Sequence, residues 1–152
     1  MTISEIIQGM LAPGIMISAC GLLLLGMNNK YSMVVNRIRA LDEEKRKLHS
    51  IEGGLNDHQK KRLNSIIQQT YKLAFRVKLV RNAVISYSTA VALFIMTCLS
   101  IGIQYTLDNV NFTGAVIVFF LLGMASVFTG IIFACHEVIK GYEVIKIEVR
   151  ES

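Results

Sequence analysis

Three runs without a charged side chain dominate the pattern of apolar and polar positions along this 152-residue chain. The runs cover residues 6–27, 82–106 and 109–136. Each exceeds the length of about 20 residues that an α-helix needs to cross about 30 Å of hydrocarbon. A cleaved signal peptide would carry a positive n-region, whereas residues 1–5 carry only Glu5. The pattern therefore predicts three transmembrane helices, within residues 1–29, 82–106 and 113–136, with a short external loop at 107–112.

The segment between the first two runs, residues 30–81, has the apolar period of amphipathic helices. In its first half, apolar side chains recur at Val34, Ile38, Leu41, Leu48 and Ile51. A second seam follows at Leu63, Ile67, Thr70, Ala74, Val77 and Val84. Gly53 and Gly54 are expected to stop the first helix, and Asp57 is the expected N-cap of the next. The first two transmembrane helices are therefore predicted to extend into a long antiparallel helical hairpin with its turn near residues 53–56.

Residues 137–152 continue the third run with a helical pattern of their own. Val138, Tyr142, Ile145 and Val149 share one stripe, and side chains of opposite charge alternate beside it. We expect a C-terminal helix that docks on the base of the hairpin. The predicted fold class is an all-α integral membrane protein with three transmembrane helices.

The distribution of positive charge predicts the orientation in the membrane. Of the 16 Lys and Arg residues, 13 lie in residues 30–81 and three in residues 137–152. The N-terminal segment and the loop at 107–112 have none. Because cytoplasmic loops retain basic residues, we expect the N-terminus outside, and the hairpin and the C-terminus in the cytoplasm.

Basic side chains next to a membrane have an ordinary role in binding anionic lipid head groups. We predict this role for Lys72, Arg76, Lys78 and Arg81, which precede the second run. We also expect a basic neighbour such as Arg76, Lys78 or Arg81 to pair with His136 and Glu137, at the end of the third run. A pH-sensitive element at His136 and Glu137 is the alternative. The basic segment 60–62 lacks an aromatic platform, so no nucleic-acid partner is predicted.

Small and polar residues distinguish the first run from the other two. Gln8, Ala12, Ala19 and Gly26 share one face, whereas Gly14, Ser18 and Gly21 share another. Lipid contact does not select small residues, but close helix packing does. We therefore expect this helix to meet copies of itself or to line a cavity, with Gly14 and Gly21 as helix-packing positions. The alternative is that the small residues pack only within one chain.

The segment ISACGLLLLGMNNKYSMVVNRIRALDEE, residues 17–44, resembles a family of small bacterial inner-membrane proteins, Domain of Unknown Function twenty-seven twenty-one. Positions shared with the family pattern are Pro13, Ser18, Ala19, Cys20, Gly21, Asn28, Asn29, Asn36, Arg37, Arg39 and Glu137. Lys30 stands where arginine is common in the family. The resemblance implies a three-span protein of the bacterial inner membrane, and it implies no activity.

The leading functional hypothesis is a homo-oligomeric ion channel or pore-forming transport protein of four or more copies in the lipid bilayer, conducting inorganic ions. The candidate pore-lining residues are Glu5, Gln8, Ala12, Ser18, Ala19, Gly26, Asn29 and Lys30. The alternative is a non-conducting membrane adaptor whose basic hairpin binds a partner protein or anionic lipid. The sequence predicts no enzyme, because the runs hold no carboxylate pair, histidine cluster or Ser–His arrangement. It predicts no cofactor and no metal, since His49, Glu52, Asp57 and His58 at the hairpin tip form no compact ligand pattern.

Overall fold

The computed structural model describes residues 3–50, 56–106 and 113–150, and side chains within these ranges except those of residues 105–106 and 142–150. The described chain forms three helices: α1 (Ile3–His49), α2 (Asp57–Thr106) and α3 (Thr113–Arg150). Each contains a stretch long and apolar enough to cross a membrane. The predicted all-α class, with three helices long and apolar enough to span a membrane, is therefore confirmed for the described residues.

The helices extend well past the apolar runs. α1 continues through Asn28 and Asn29, and α3 continues from the third run to Arg150. The turn predicted near residues 53–56 falls largely outside the described residues, between the end of α1 and the start of α2.

The N-terminus of α2 differs by one residue from the sequence prediction. The carbonyl oxygen of Asn56 accepts the first helical hydrogen bond, from the Lys60 N–H at 3.0 Å. The side chain of Gln59 reaches back to accept the Asn56 N–H at 2.9 Å. Asn56 therefore occupies the N-cap position that the sequence assigned to Asp57, because Gln59 satisfies the backbone N–H at position 56.

The chain divides into two compact units, one of residues 1–28 and 82–133 and one of residues 29–81 and 134–152. In the first unit, the core forms around Cys20, Ala90 and Phe94. Phe94 also packs at a tilt against Phe120, with ring centroids 5.7 Å apart. The hydroxyl of Ser126 donates a hydrogen bond to the Ser86 carbonyl oxygen at 2.8 Å, which ties α3 to α2.

Two glycines of α3 make room for two aromatic rings of α2 in the first unit. A Cβ added to Gly130 would lie 2.6 Å from Cε1 of Tyr87, and one added to Gly123 would lie 2.8 Å from Cε1 of Phe94. Both rings are buried. The two glycines are seven residues apart on α3, and the two aromatic residues are seven residues apart on α2. This pairing sets the distance between α2 and α3, because a larger residue would push the rings away.

The buried positions follow a seven-residue repeat on both long helices. On α1, the repeat includes Pro13, Cys20, Met27, Val34 and Leu41. On α2, it includes Ile66, Val80, Tyr87 and Phe94. A spacing of seven keeps one seam facing a neighbouring helix, as in coiled coils.

The seam predicted for the first half of α2 was partly wrong. Ile67 and Ala74 are exposed, whereas the adjacent Ile66 is buried and Leu73 is half-buried. Both members of each adjacent pair are apolar, so a helical pattern of apolar residues every three or four positions fits either member of the pair. The seven-residue repeat continuing to Val80 selects Ile66 and Leu73.

In the second unit, a bidentate ion pair joins α1 to α2. Arg62 donates from Nε and Nη2 to the two carboxylate oxygens of Glu44, at 2.8 and 3.2 Å. Both side chains are substantially exposed, so this pair fixes geometry more than it adds stability.

Candidate functional site

One acidic side chain in the second unit is buried and bound by two cations. The Glu137 side chain is 2% exposed. Arg76 donates to Glu137 Oε1 from Nη2 at 2.6 Å and from Nε at 3.2 Å. Lys30 Nζ donates to Glu137 Oε2 at 3.1 Å. Each carboxylate oxygen of Glu137 thus accepts hydrogen bonds from a different helix. These bonds link α3 to α1 and α2.

The sequence places each of these three residues beside an apolar run. Lys30 follows the first run by three residues, and Glu137 follows the third run directly. Arg76 precedes the second run by six residues. A carboxylate so close to the apolar region requires paired partners, because an unpaired buried charge is costly.

Gly141 provides the space that the Arg76 guanidinium occupies. A Cβ at position 141 would lie 3.1 Å from Arg76 Nη2, closer than ordinary van der Waals contact. A glycine is disfavoured in the middle of a helix by about 1 kcal/mol relative to alanine. Its position one helical turn after Glu137 therefore has a structural reason.

The surroundings of Glu137 act on its charge in opposite directions. Burial disfavours the ionised carboxylate, but hydrogen bonds from Arg76 and Lys30 and the charges of both outweigh burial. The net effect is that the pKa of Glu137 lies below its ordinary value. One carboxylate faces two basic side chains, so the cluster has a formal net charge of +1.

A cleft of about 530 Å³ opens beside this cluster, within the second unit. Its charged lining consists of Lys30, Arg37, Arg76 and Glu137. Its apolar lining consists of Met33, Val34, Leu73 and Val138. The cleft therefore combines an excess of positive charge with apolar walls. No group of three or more metal-ligating His, Cys, Asp or Glu side chains is found among the described residues.

The predicted pore-lining residues all lie on α1, and all of them except Lys30 lie away from its buried seam. Exposed in the single chain are Glu5, Gln8, Ala12, Ser18, Ala19, Gly26 and Asn29. Lys30 is half-buried and bound to Glu137. The Ser18 hydroxyl donates to the Gly14 carbonyl oxygen of its own helix at 3.3 Å. The structure therefore separates Lys30 from the other candidates by giving it a partner on α3.

Part of the Glu137 cluster was predictable from the sequence. A basic partner was expected among Arg76, Lys78 and Arg81, and Arg76 is that partner. Arg76 thereby differs from Lys72, Lys78 and Arg81, the other residues predicted to bind lipid head groups. His136, the neighbour of Glu137, is exposed. Lys30 and Arg37 were missed as cleft residues, because no periodicity within one helix shows which face of it meets a third helix.

The fold and its apolar helices define a multi-pass α-helical membrane protein with a buried ionic cluster. The family model described as Protein of unknown function (DUF2721) matches residues 10–147, and the chain belongs to this family. The match confirms the resemblance carried by residues 17–44. Neither the curated proteins nor the solved structures contain a match to this chain.

Proposed function

We propose that the protein is a homo-oligomeric, ion-conducting pore of the bacterial inner membrane, with α1 facing the axis. The N-terminus lies outside and the hairpin lies in the cytoplasm, as the distribution of Lys and Arg indicates. Four or more copies surround the axis, because three helices leave no room for an ion path within one chain.

The observation that carries this proposal is unfilled space beside the glycines of α1. A Cβ at Gly14, Gly21 or Gly26 would meet no atom within 4 Å, whereas at Gly123 and Gly130 it would collide with a ring. Glycines that do not serve packing within the chain are available for packing between chains. This favours oligomerisation over the alternative that all the small residues of α1 pack within a single chain.

The small residues occupy both sides of the buried seam of α1. Successive residues of a helix are about 100° apart, so Ala19 and Gly21 lie on opposite flanks of the buried Cys20. A helix with two such flanks fits between two neighbouring copies in a ring. A dimer would use only one of the two flanks.

Polar residues at the outer end of α1 support a hydrated axis. Gln8 is exposed in the single chain although it lies inside an apolar run. An amide facing lipid is costly, because hydrocarbon offers no hydrogen-bond partner. An axis that contains water removes this cost and places Gln8 and Glu5 near the external mouth. Glu5 favours cations there, while the hairpin, with 13 basic and five acidic residues in positions 30–81, favours anions inside.

Native mass spectrometry of the full chain in mild detergent tests the assembly. We expect one species of four or more copies for the unmodified chain, and smaller species for Gly21→Leu with unchanged helicity. Gly114→Leu is the matched control, since Gly114 lies on α3 and also has open space around it. A monomer or dimer of the unmodified chain in every detergent would exclude the pore.

Single-channel recording in planar bilayers tests conduction. We expect Gln8→Leu and Ala12→Leu to lower the unit conductance while leaving the number of subunits unchanged. Unchanged conductance in both variants would place the axis elsewhere, and an intact ring that does not conduct would leave only the assembly part of the proposal.

The second candidate is a non-conducting adaptor, and an exposed apolar stripe of α2 favours it. Ile67, Tyr71 and Phe75 are spaced by four residues and lie outside the apolar runs, and the Tyr71 side chain is 80% exposed. Apolar anchors with this spacing are typical of a helix that packs into the groove of a partner protein. Large exposed apolar side chains outside a membrane mark such contacts.

A photo-crosslinking residue placed at position 71 of the full chain in living cells tests this candidate. The adaptor predicts a defined crosslinked species with another protein, lost in Phe75→Ser and kept in Tyr31→Ser. Tyr31 is a suitable control because it is an exposed aromatic residue on α1. Crosslinks only between copies of this chain would count against the adaptor.

A further inference from the structure

We propose that the cleft beside Glu137 binds a phosphate group between Lys30, Arg37 and Arg76. A lipid head group and a free phosphate ion both present this chemistry. The proposal is independent of the pore, because the cleft is formed within one chain.

The charge of the cleft is the first argument. Among the described side chains, three cations line it and one carboxylate opposes them, so these residues carry a net charge of +2. Glu137 is already bound through both oxygens, at Oε1 by Arg76 and at Oε2 by Lys30. The described side chains of the lining supply no second carboxylate, so the positive charge that Glu137 does not neutralise suits an added anion.

The hydrogen-bond donors of the cations are the second argument. A guanidinium has five N–H donors, and Arg76 uses two N–H groups toward Glu137. An ammonium has three, and Lys30 uses one of them. Charged donors held in place by a buried carboxylate are preorganised for a second acceptor with several oxygens, such as phosphate.

The arrangement of α1 is the third argument. Met33, Val34 and Arg37 lie three, four and seven residues after Lys30, so one face of α1 lines the cleft. This face carries two cations, Lys30 and Arg37, about two helical turns apart, and the two apolar residues lie between them. Arg37 is exposed at the far end, which gives the site an opening.

The walls and the position of the cleft suit a phosphate attached to an apolar group. Met33, Val34, Leu73 and Val138 offer apolar contact beside the cations. Its volume of about 530 Å³ is in the range of about 300–1,000 Å³ that small-molecule sites occupy. Lys30 and Glu137 follow apolar runs closely, at the level where the phosphates of a bilayer lie.

Binding of short-chain lipids to the purified full chain in a zwitterionic detergent tests the proposal. Phosphatidylglycerol is compared with phosphatidylcholine of the same chain length and with inorganic phosphate. We expect phosphatidylglycerol to bind more tightly than phosphatidylcholine, because the choline cation is repelled by the positive lining. Arg37→Gln should weaken binding of phosphatidylglycerol about five- to tenfold.

Arg39→Gln is the matched control, since it removes the same charge two residues away and Arg39 is not part of the cleft lining. Glu137→Gln is the second variant. It removes the opposing carboxylate and should strengthen phosphate binding, whereas a purely structural role of Glu137 predicts lower stability with unchanged or weaker binding.

The source of the phosphate is decided by competition. Displacement of phosphatidylglycerol by inorganic phosphate at low millimolar concentration indicates a site for free phosphate. Tight lipid binding that inorganic phosphate does not displace indicates a head-group site. Equal loss of binding in Arg37→Gln and Arg39→Gln, or binding of neither phosphatidylglycerol nor phosphate, would overturn the proposal.

Discussion

Arg76 Nη2 and Glu137 Oε1 are 2.6 Å apart, although 61 residues separate them in the chain. The pair joins two segments outside the apolar runs. Arg76 lies in the half of α2 before the second run, and Glu137 lies in the part of α3 after the third run. Lys30 completes the cluster from α1 at 3.1 Å. A single carboxylate therefore holds three helices together.

Replacing Arg76 should destabilise the protein more than replacing a nearby cation. Arg76→Ala leaves Glu137 buried with only Lys30 as a partner, and we expect a loss of about 2 kcal/mol. Lys78→Ala, two residues away and exposed, should change stability little. The thermal unfolding midpoint in detergent measures both. Equal midpoints for the two variants would contradict a stabilising role of the cluster.

Acid should weaken the cluster, and the direction follows from the lowered pKa of Glu137. The stabilisation is fully present above the ordinary glutamate pKa of about 4.3 and is lost as the pH falls through the lower value in the folded protein. The unfolding midpoint should therefore fall on acidification below about pH 4.3, and fall less in Glu137→Gln. Other carboxylates contribute equally to both proteins, so parallel pH curves would contradict the prediction.

Gly130→Ala should loosen the packing of α3 on α2. The new Cβ would lie 2.6 Å from the buried Tyr87 ring, and such overpacking costs about 1–3 kcal/mol. Gly114→Ala, on the same helix with open space around it, should be neutral or slightly stabilising because alanine favours helices. Circular dichroism during thermal unfolding compares the two variants. A Gly130→Ala protein as stable as Gly114→Ala would show that the ring can move aside.

Thr70→Val should stabilise the second unit. Among the described residues, the Thr70 hydroxyl oxygen is buried without a hydrogen-bond partner. Valine has nearly the same shape and removes the unsatisfied group, so we expect a gain of about 1 kcal/mol. Thr70→Ser retains the hydroxyl and loses a methyl group, and should be less stable than the unmodified chain. A higher midpoint for Thr70→Ser than for Thr70→Val would argue for a water or partner bound at this hydroxyl.

Much of the fold was predictable, because it depends on length and composition. Three uncharged runs identified the three apolar helices. The pairing of Glu137 with Arg76 was anticipated because a carboxylate at the end of an apolar run needs a cation nearby.

Other features depend on contacts between helices, which periodicity along one helix does not specify. Ile66 and Ile67 are both apolar, and only the fit against neighbouring helices buries the first and exposes the second. Lys30 looked like a residue for the mouth of a pore, and its pairing with Glu137 depends on how α1 and α3 meet. The role of Gly130 was equally hidden, since glycine occurs in membrane helices for several reasons.

The glycine and aromatic pairs of α2 and α3 favour one alignment of these two helices over neighbouring ones. A slip of α3 by four residues would bring Ser126 or Ala134 under the Tyr87 ring in place of Gly130, where even a Cβ has no space. A slip of seven would bring Gly123 under Tyr87, but Phe94 would then meet Val116 instead of a glycine. The two pairs therefore select one depth of α3 relative to α2 when these helices pack side by side in a membrane.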